Sequence, residues 1–164
     1  MFRDVGAQIT FASLLDGQPP RYPKSDEAAL LTDATRRFWA DTTTLWTLRA
    51  SDFSAVSYPG GHGPLWHLAE DAASIELIGP MIAVGKRMTG FSNTEEQAAG
   101  LTDVLRFLLK DMLKTQGSPY SKVAAWQPHV VIDGLLITGH NPTSSAPAAQ
   151  ALPEQLRNRR TARA

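Results

Sequence analysis

The 164-residue chain contains no cysteine. No disulfide can staple it, no thiolate can hold zinc or an iron–sulfur cluster, and no cysteine can serve as a nucleophile. The fold must therefore rest on burial, and a domain of this length removes about 70% of its unfolded surface from water. Apolar residues make up 43% of the chain and charged residues 20%, which is globular rather than disordered usage. Sixteen basic residues cancel sixteen acidic ones, so no strong field favours nucleic acid or an anionic membrane as partner. The one basic cluster, Arg157, Arg159, Arg160 and Arg163, sets residues 157–164 apart as a solvated tail. No apolar run approaches the ~20 residues of a bilayer span, and the N-terminal MFRDVGAQITF lacks the apolar stretch of a signal peptide. The expectation is a soluble, cytoplasmic protein.

Patterning predicts strands alternating with helices. Gln8–Ser13 alternates and reads as a strand, and Asp16–Ser25, with its prolines, as a loop. Ala28–Ala40 carries an apolar stripe and predicts a helix. Phe53–Tyr58 predicts a short strand halted by Pro59-Gly60-Gly61, and Leu65–Ile78 a helix with Pro64 near its first position. Met81–Val84, Arg87–Phe91 and Lys122–Trp126 are weaker strand candidates. Leu101–Gln116 is the strongest helix, because Leu101, Val104, Leu105, Leu108, Leu109, Met112 and Leu113 follow the 3.6-residue period and Gly117 stops it. His129–Ile132 and Leu135–Thr138 flank Asp133-Gly134, a hairpin signal. Asn141–Ser144 is a turn into a last helix, about Ser145–Leu156. No 20–50-residue repeat is present, and the order argues an α/β fold closed by a hairpin. Residues 1–156 read as one domain.

The most chemical-looking stretch is Tyr58-Pro-Gly-Gly-His-Gly-Pro-Leu-Trp66. A strand feeding glycines and then a helix can aim free amides at a carboxylate or oxyanion. The same pattern also serves as a merely tight turn. His62 can donate to a bound oxygen or bond a backbone carbonyl. His67, His129 and His140 are scattered without a clustered carboxylate, so no metal site is expected. Glu95 and Glu96 follow Ser92-Asn93 and read as ordinary first-turn acids. No G-x-S-x-G elbow occurs, and the tryptophans read as core or interface anchors.

The string Tyr58-Pro-Gly-Gly-His-Gly-Pro-Leu-Trp-His-Leu-Ala-Glu-Asp71 resembles the hallmark of the DJ-one/PfpI superfamily (class I glutamine amidotransferase-like) in its glyoxalase III-like branch. Pro23-Lys-Ser-Asp26, Thr32-Asp-Ala-Thr-Arg-Arg-Phe38, Gly85–Glu96, Tyr120-Ser-Lys122, Trp126-Gln-Pro-His129 and Asp133–Pro142 agree in the same order. The likeness covers about residues 2–152. It implies a flavodoxin-like three-layer sandwich with a mostly parallel sheet, here shortened, plus the C-terminal hairpin. It implies lyase chemistry on methylglyoxal-like aldehydes without a separate cofactor, by a cysteine, a histidine and a carboxylate. It also implies deglycase or chaperone roles in some members, and a homodimer. Carried over, Gly60, Gly61, His62 and Gly63 match the loop facing the nucleophile and would bind a small α-oxoaldehyde or carboxylate. Glu96 matches the triad carboxylate.

The departures are as informative. The cysteine elbow should lie between Ile78 and Met81, yet Ile78-Gly-Pro-Met81 leads almost directly to Gly85-Lys86. The chain starts where relatives have passed their first strand, and a small gap lies between Ala40 and Asp52. It reads as a shortened copy, natural or engineered. Central strands are buried on both faces, so each backbone group left dry by their loss would cost ~1–3 kcal/mol. Three readings follow: a catalytically silent pseudoenzyme, an active glyoxalase III-type enzyme by family membership, and a chaperone-like dimeric binding protein. The local helix and hairpin of the C-terminal half are expected to outlast residues 1–50.

Overall fold

A computed structural model describes residues 2, 6–15, 17, 40–78 and 85–161. The chain divides into two compact units, Met1–Ile78 and Gly79–Ala164. The helix expected at Ala28–Ala40, all but its last residue, and the strand expected at Met81–Val84 lie outside the described residues.

In the first unit, β1 (Ala12–Ser13) pairs in parallel with β2 (Thr43–Thr44). The strand expected over Gln8–Ser13 is thus confined to its last two residues. The chain next makes two short 3-10 turns, Leu45–Thr47 and Ala50–Asp52. Two helices follow, α1 (Gly63–His67) and α2 (Ala72–Ile78). The expected Leu65–Ile78 helix is broken because Asp71 caps a new one, its Oδ1 accepting the Ser74 N–H at 2.7 Å. Leu45, Ala73 and Leu77 form the buried core, with Leu14, Leu48, Val56, Tyr58 and Leu68 packed around it. Phe53–Tyr58 makes no ladder among the described residues, contrary to the strand expected there. It is held instead by Val56 and Tyr58 in this core and by the Tyr58 hydroxyl donating to the Ser74 carbonyl at 3.1 Å.

The second unit contains α3 (Asn93–Ala98), α4 (Leu109–Thr115), the hairpin β3 (Val130–Asp133) and β4 (Leu136–Gly139), and α5 (Ser145–Thr161). The expected Leu101–Gln116 helix survives only as α4, while residues 102–107 form turns. The long apolar stripe is divided by a close approach. A Cβ on Gly90 would sit 2.8 Å from Leu109 Cδ2, so α4 packs directly on the Gly90 backbone. Val104, from the N-terminal part of the stripe, is left 56% exposed.

The expected hairpin forms, with Asp133 opposite Leu136 and Val130 opposite Gly139. Gly134 has φ +62° at the first of the two loop residues, where a type II′ turn takes glycine. Arg87–Phe91 contributes one parallel bridge, Met88 to Tyr120, rather than a full strand. Lys122–Trp126 is not a strand, since Trp126 adopts a left-handed φ of +64°. The last helix begins at Ser145 as expected and continues past Leu156. Helices thus combine with a parallel pair and a C-terminal antiparallel hairpin, the α/β class read from the sequence.

Candidate functional site

The second unit buries polar groups rather than a large apolar core. Among its described residues, the largest fully buried side chains are His140, Glu95, Glu96, Ser92 and Ser144. Glu95 is the hub. Ser92-Asn-Thr-Glu95 forms a capping box at the start of α3, in which the Ser92 N–H and hydroxyl donate to Glu95 Oε2 at 3.0 and 2.7 Å. Oε1 accepts the Trp126 N–H and the Asn141 Nδ2, both at 2.9 Å. His140 Nε2 lies 2.9 Å from Oε2, a close contact without hydrogen-bond alignment. One carboxylate therefore ties together a helix start, the Trp126 loop and the turn after β4.

The electrostatics follow from those contacts. Burial pushes the Glu95 carboxyl up, but the Trp126 N–H, the Ser92 hydroxyl and N–H, and the Asn141 amide together hold it down, from 4.5 to about 2. Burial keeps His140 below its ordinary value; Glu95 and the Gln127 backbone pull it up, while His129 and Lys122 push it down. Burial, with the Glu95 charge behind it, raises the Tyr120 phenol to about 12. The core thus holds an anionic carboxylate beside a neutral imidazole.

Asn141 completes the arrangement. Its Nδ2 also donates to the Gln127 carbonyl at 2.9 Å, and its Oδ1 accepts the Thr143 N–H at 3.1 Å. The Thr143 hydroxyl donates to the Trp126 carbonyl at 3.1 Å, so Trp126 is held at both its N–H and C=O. Its ring meets Phe91 edge-on, centroids 5.6 Å apart.

The residues singled out from the sequence fall in different units. Gly60, Gly61, His62 and Gly63 belong to the first. Gly61 has φ +121°, and a Cβ at Gly60, Gly61 or Gly63 would meet no heavy atom within 4 Å, so the loop backbone is bare. His62 occupies the N-cap position of α1, a helix of only five residues. Glu96 belongs to the second unit, one residue beyond the hub and equally buried. Its N–H donates to the Ser92 carbonyl at 3.0 Å. Sequence reading missed Glu95 as the hub and His140 and Asn141 as its partners. The Ser92-x-x-Glu95 spacing was the only local signal for any of them.

No family model matches the chain. Over 156 residues it is 28% identical to the glutathione-independent glyoxalase HSP31 of Saccharomyces cerevisiae, a match covering 92% of this chain and 58% of that protein. Over 94 residues it is 30% identical to glyoxalase 3 of Candida albicans, covering 54% of this chain and 39% of that protein. Among solved structures, the Rapid Encystment Protein 24 KDa of Francisella tularensis superposes with a TM-score of 0.76 at 25% identity, over 90% of this chain and 80% of that one. These matches support the DJ-one/PfpI superfamily, and its glyoxalase III-like branch, as the family that the chain resembles. The glyoxalase III structure from Candida albicans, at 20% identity, has the same fold with a TM-score of 0.78 over 94% of this chain and 82% of that one. The chain spans little more than half the length of the first curated relative and less of the second. Among the described residues, no helix is long and apolar enough to cross a membrane.

Proposed function

We propose that this DJ-one/PfpI-like chain is silent in cysteine-dependent glyoxalase chemistry and keeps a binding role for a small α-oxoaldehyde or carboxylate. One observation carries the reading: the chain has no cysteine between Ile78 and Met81, where the resemblance puts the family's elbow, or anywhere else. Without a thiolate nothing in the triad can add to the aldehyde carbon, whatever role Glu96 keeps. Burial of Glu95 and its use on main-chain donors support the same reading, since a carboxylate so occupied has little basicity left for proton transfer. In the first unit, the bare backbone of Gly60–Gly63 is the surface on which the ligand would rest.

The test is direct. The purified chain, incubated with methylglyoxal, is expected to form lactate no faster than buffer. Turnover of ~1 per second or more would overturn the reading, because that is the lower end of typical enzyme rates.

A further inference from the structure

A second chemical arrangement involves neither the glycine-loop residues nor Glu96. Ser121 Oγ and His129 Nε2 are 3.0 Å apart, within reach of direct proton transfer. Ser121 is exposed, and its backbone is pinned by its N–H donating to the Met88 carbonyl at 3.1 Å, just after the Met88–Tyr120 bridge. His129 precedes β3 and is anchored at both main-chain groups. Its N–H donates to Ser144 Oγ at 3.1 Å, and its carbonyl accepts the His140 N–H at 2.9 Å. The His129 ring stands edge-on to the buried His140 ring, centroids 6.2 Å apart and planes at 86°, and His140 in turn rests against Glu95. A solvent-facing hydroxyl is thus paired with an imidazole whose position is set by the buried polar core.

We propose that Ser121 and His129 form a nucleophile–base pair that accepts acyl groups from small activated esters. With Nε2 unprotonated, the imidazole takes the Ser121 hydroxyl proton as Oγ forms a bond to the ester carbonyl carbon. The carbon–oxygen bond to the leaving alcohol breaks, and that alcohol departs with the proton returned by Nε2. Water then adds to the acyl-serine with its proton passing to Nε2; the carboxylic acid leaves, and Ser121 recovers its proton. Ester and water become acid and alcohol, with no other reactant required. An exposed serine activated by a base alone selects for a good leaving group, so the substrate class is aryl esters rather than alkyl esters or amides.

The experiment uses the full chain with p-nitrophenyl acetate, following nitrophenolate release and locating the acetyl group by peptide mass spectrometry. The acetyl group is expected on Ser121. Ser121→Ala and His129→Gln are each expected to reduce release by ~10²-fold, the lower end of what a positioned base supplies. Ser121→Cys should restore acylation with a pH profile governed by the thiol, a rescue that a structural role for the serine would not give. Ser121 is exposed, so its alanine variant should unfold at the same denaturant concentration as the parent. Acetylation confined to lysines such as Lys122, or release unchanged in Ser121→Ala, would overturn the proposal. Neither result bears on methylglyoxal conversion.

Discussion

Removing the Glu95 carboxylate should cost the second unit a large part of its stability. In Glu95→Ala the Ser92 N–H, the Trp126 N–H and the Asn141 amide lose their acceptor together. Each buried donor left dry costs ~1–3 kcal/mol, so with some water admitted the sum is about 3–6 kcal/mol. The same contacts, read through their effect on titration, give a similar size. Lowering the carboxyl from 4.5 to about 2 on folding corresponds to roughly 3 kcal/mol at neutral pH, at 1.36 kcal/mol per unit. Net stabilities are only ~5–15 kcal/mol, so either figure is a substantial share. Glu95→Gln should not rescue the loss, because donors face both oxygens and one must then meet an NH₂.

The assay is urea unfolding followed by far-UV circular dichroism, with Glu154→Ala on the exposed side of α5 as the control, expected within about 0.5 kcal/mol of the parent. The pH dependence supplies the sign. Glu95 titrates lower in the folded chain, so its contribution is complete above 4.5 and is lost as pH falls toward 2. His140 is also lowered, so the unfolded chain takes up that proton first and stability starts to fall below 6.5. Parent stability should therefore decline in both windows, and Glu95→Gln should decline less in the lower one, where Asp133, held low by the Arg87 N–H, still contributes. Costs below about 1 kcal/mol for both Glu95 variants would refute the hub.

Trp126→Gly should be more stable than Trp126→Ala by about 1 kcal/mol, since both lose the ring but only glycine adopts φ +64° freely; equal midpoints would remove the strain from the account. Gly134→Ala should cost about 1 kcal/mol and speed amide exchange across β3–β4, because the hairpin turn needs φ +62° there. Gly61→Val should abolish NMR shifts of the Gly60–Gly63 amides on titration with pyruvate while leaving helicity little changed; shifts that map only elsewhere would make this loop a turn and nothing more.

What the sequence made legible was local. The Asp133-Gly134 signal, the first-turn acids after Ser92-Asn93 and the onset of α5 each depend on residues within a few positions of one another, and each appears where expected. The stripe from Leu101 to Gln116 was a correct pattern with the wrong extent, because contact with Gly90, far back in the chain, selects its C-terminal half. The hub was invisible for a related reason. Apolar periodicity locates cores made of apolar residues, whereas this unit buries glutamate, histidine and serine, which such patterns assign to the surface. Two adjacent glutamates in a first turn look alike in sequence, and only Trp126 and Asn141 show that Glu95 is the hub.

A core of that kind should behave as a unit. The Asn141 amide bridges Glu95 Oε1 and the Gln127 carbonyl, while its own oxygen accepts the N–H of Thr143, whose hydroxyl steadies Trp126. Asn141→Ala in the parent removes one donor from a buried anion and frees that loop, so it should cost about 2–3 kcal/mol. In a chain already lacking the Glu95 carboxylate, the charge that the amide stabilised is gone and the loop is already loosened. There the same change should cost about 1 kcal/mol less, or lower still, within the 0.5–3 kcal/mol coupling typical of residues sharing one network. A double-mutant cycle by urea unfolding measures that difference. Additive costs would mean that the Glu95–Asn141 contact carries no energy of its own, and that the turn after β4 is held by the Asn141–Thr143 and Ser144 bonds alone.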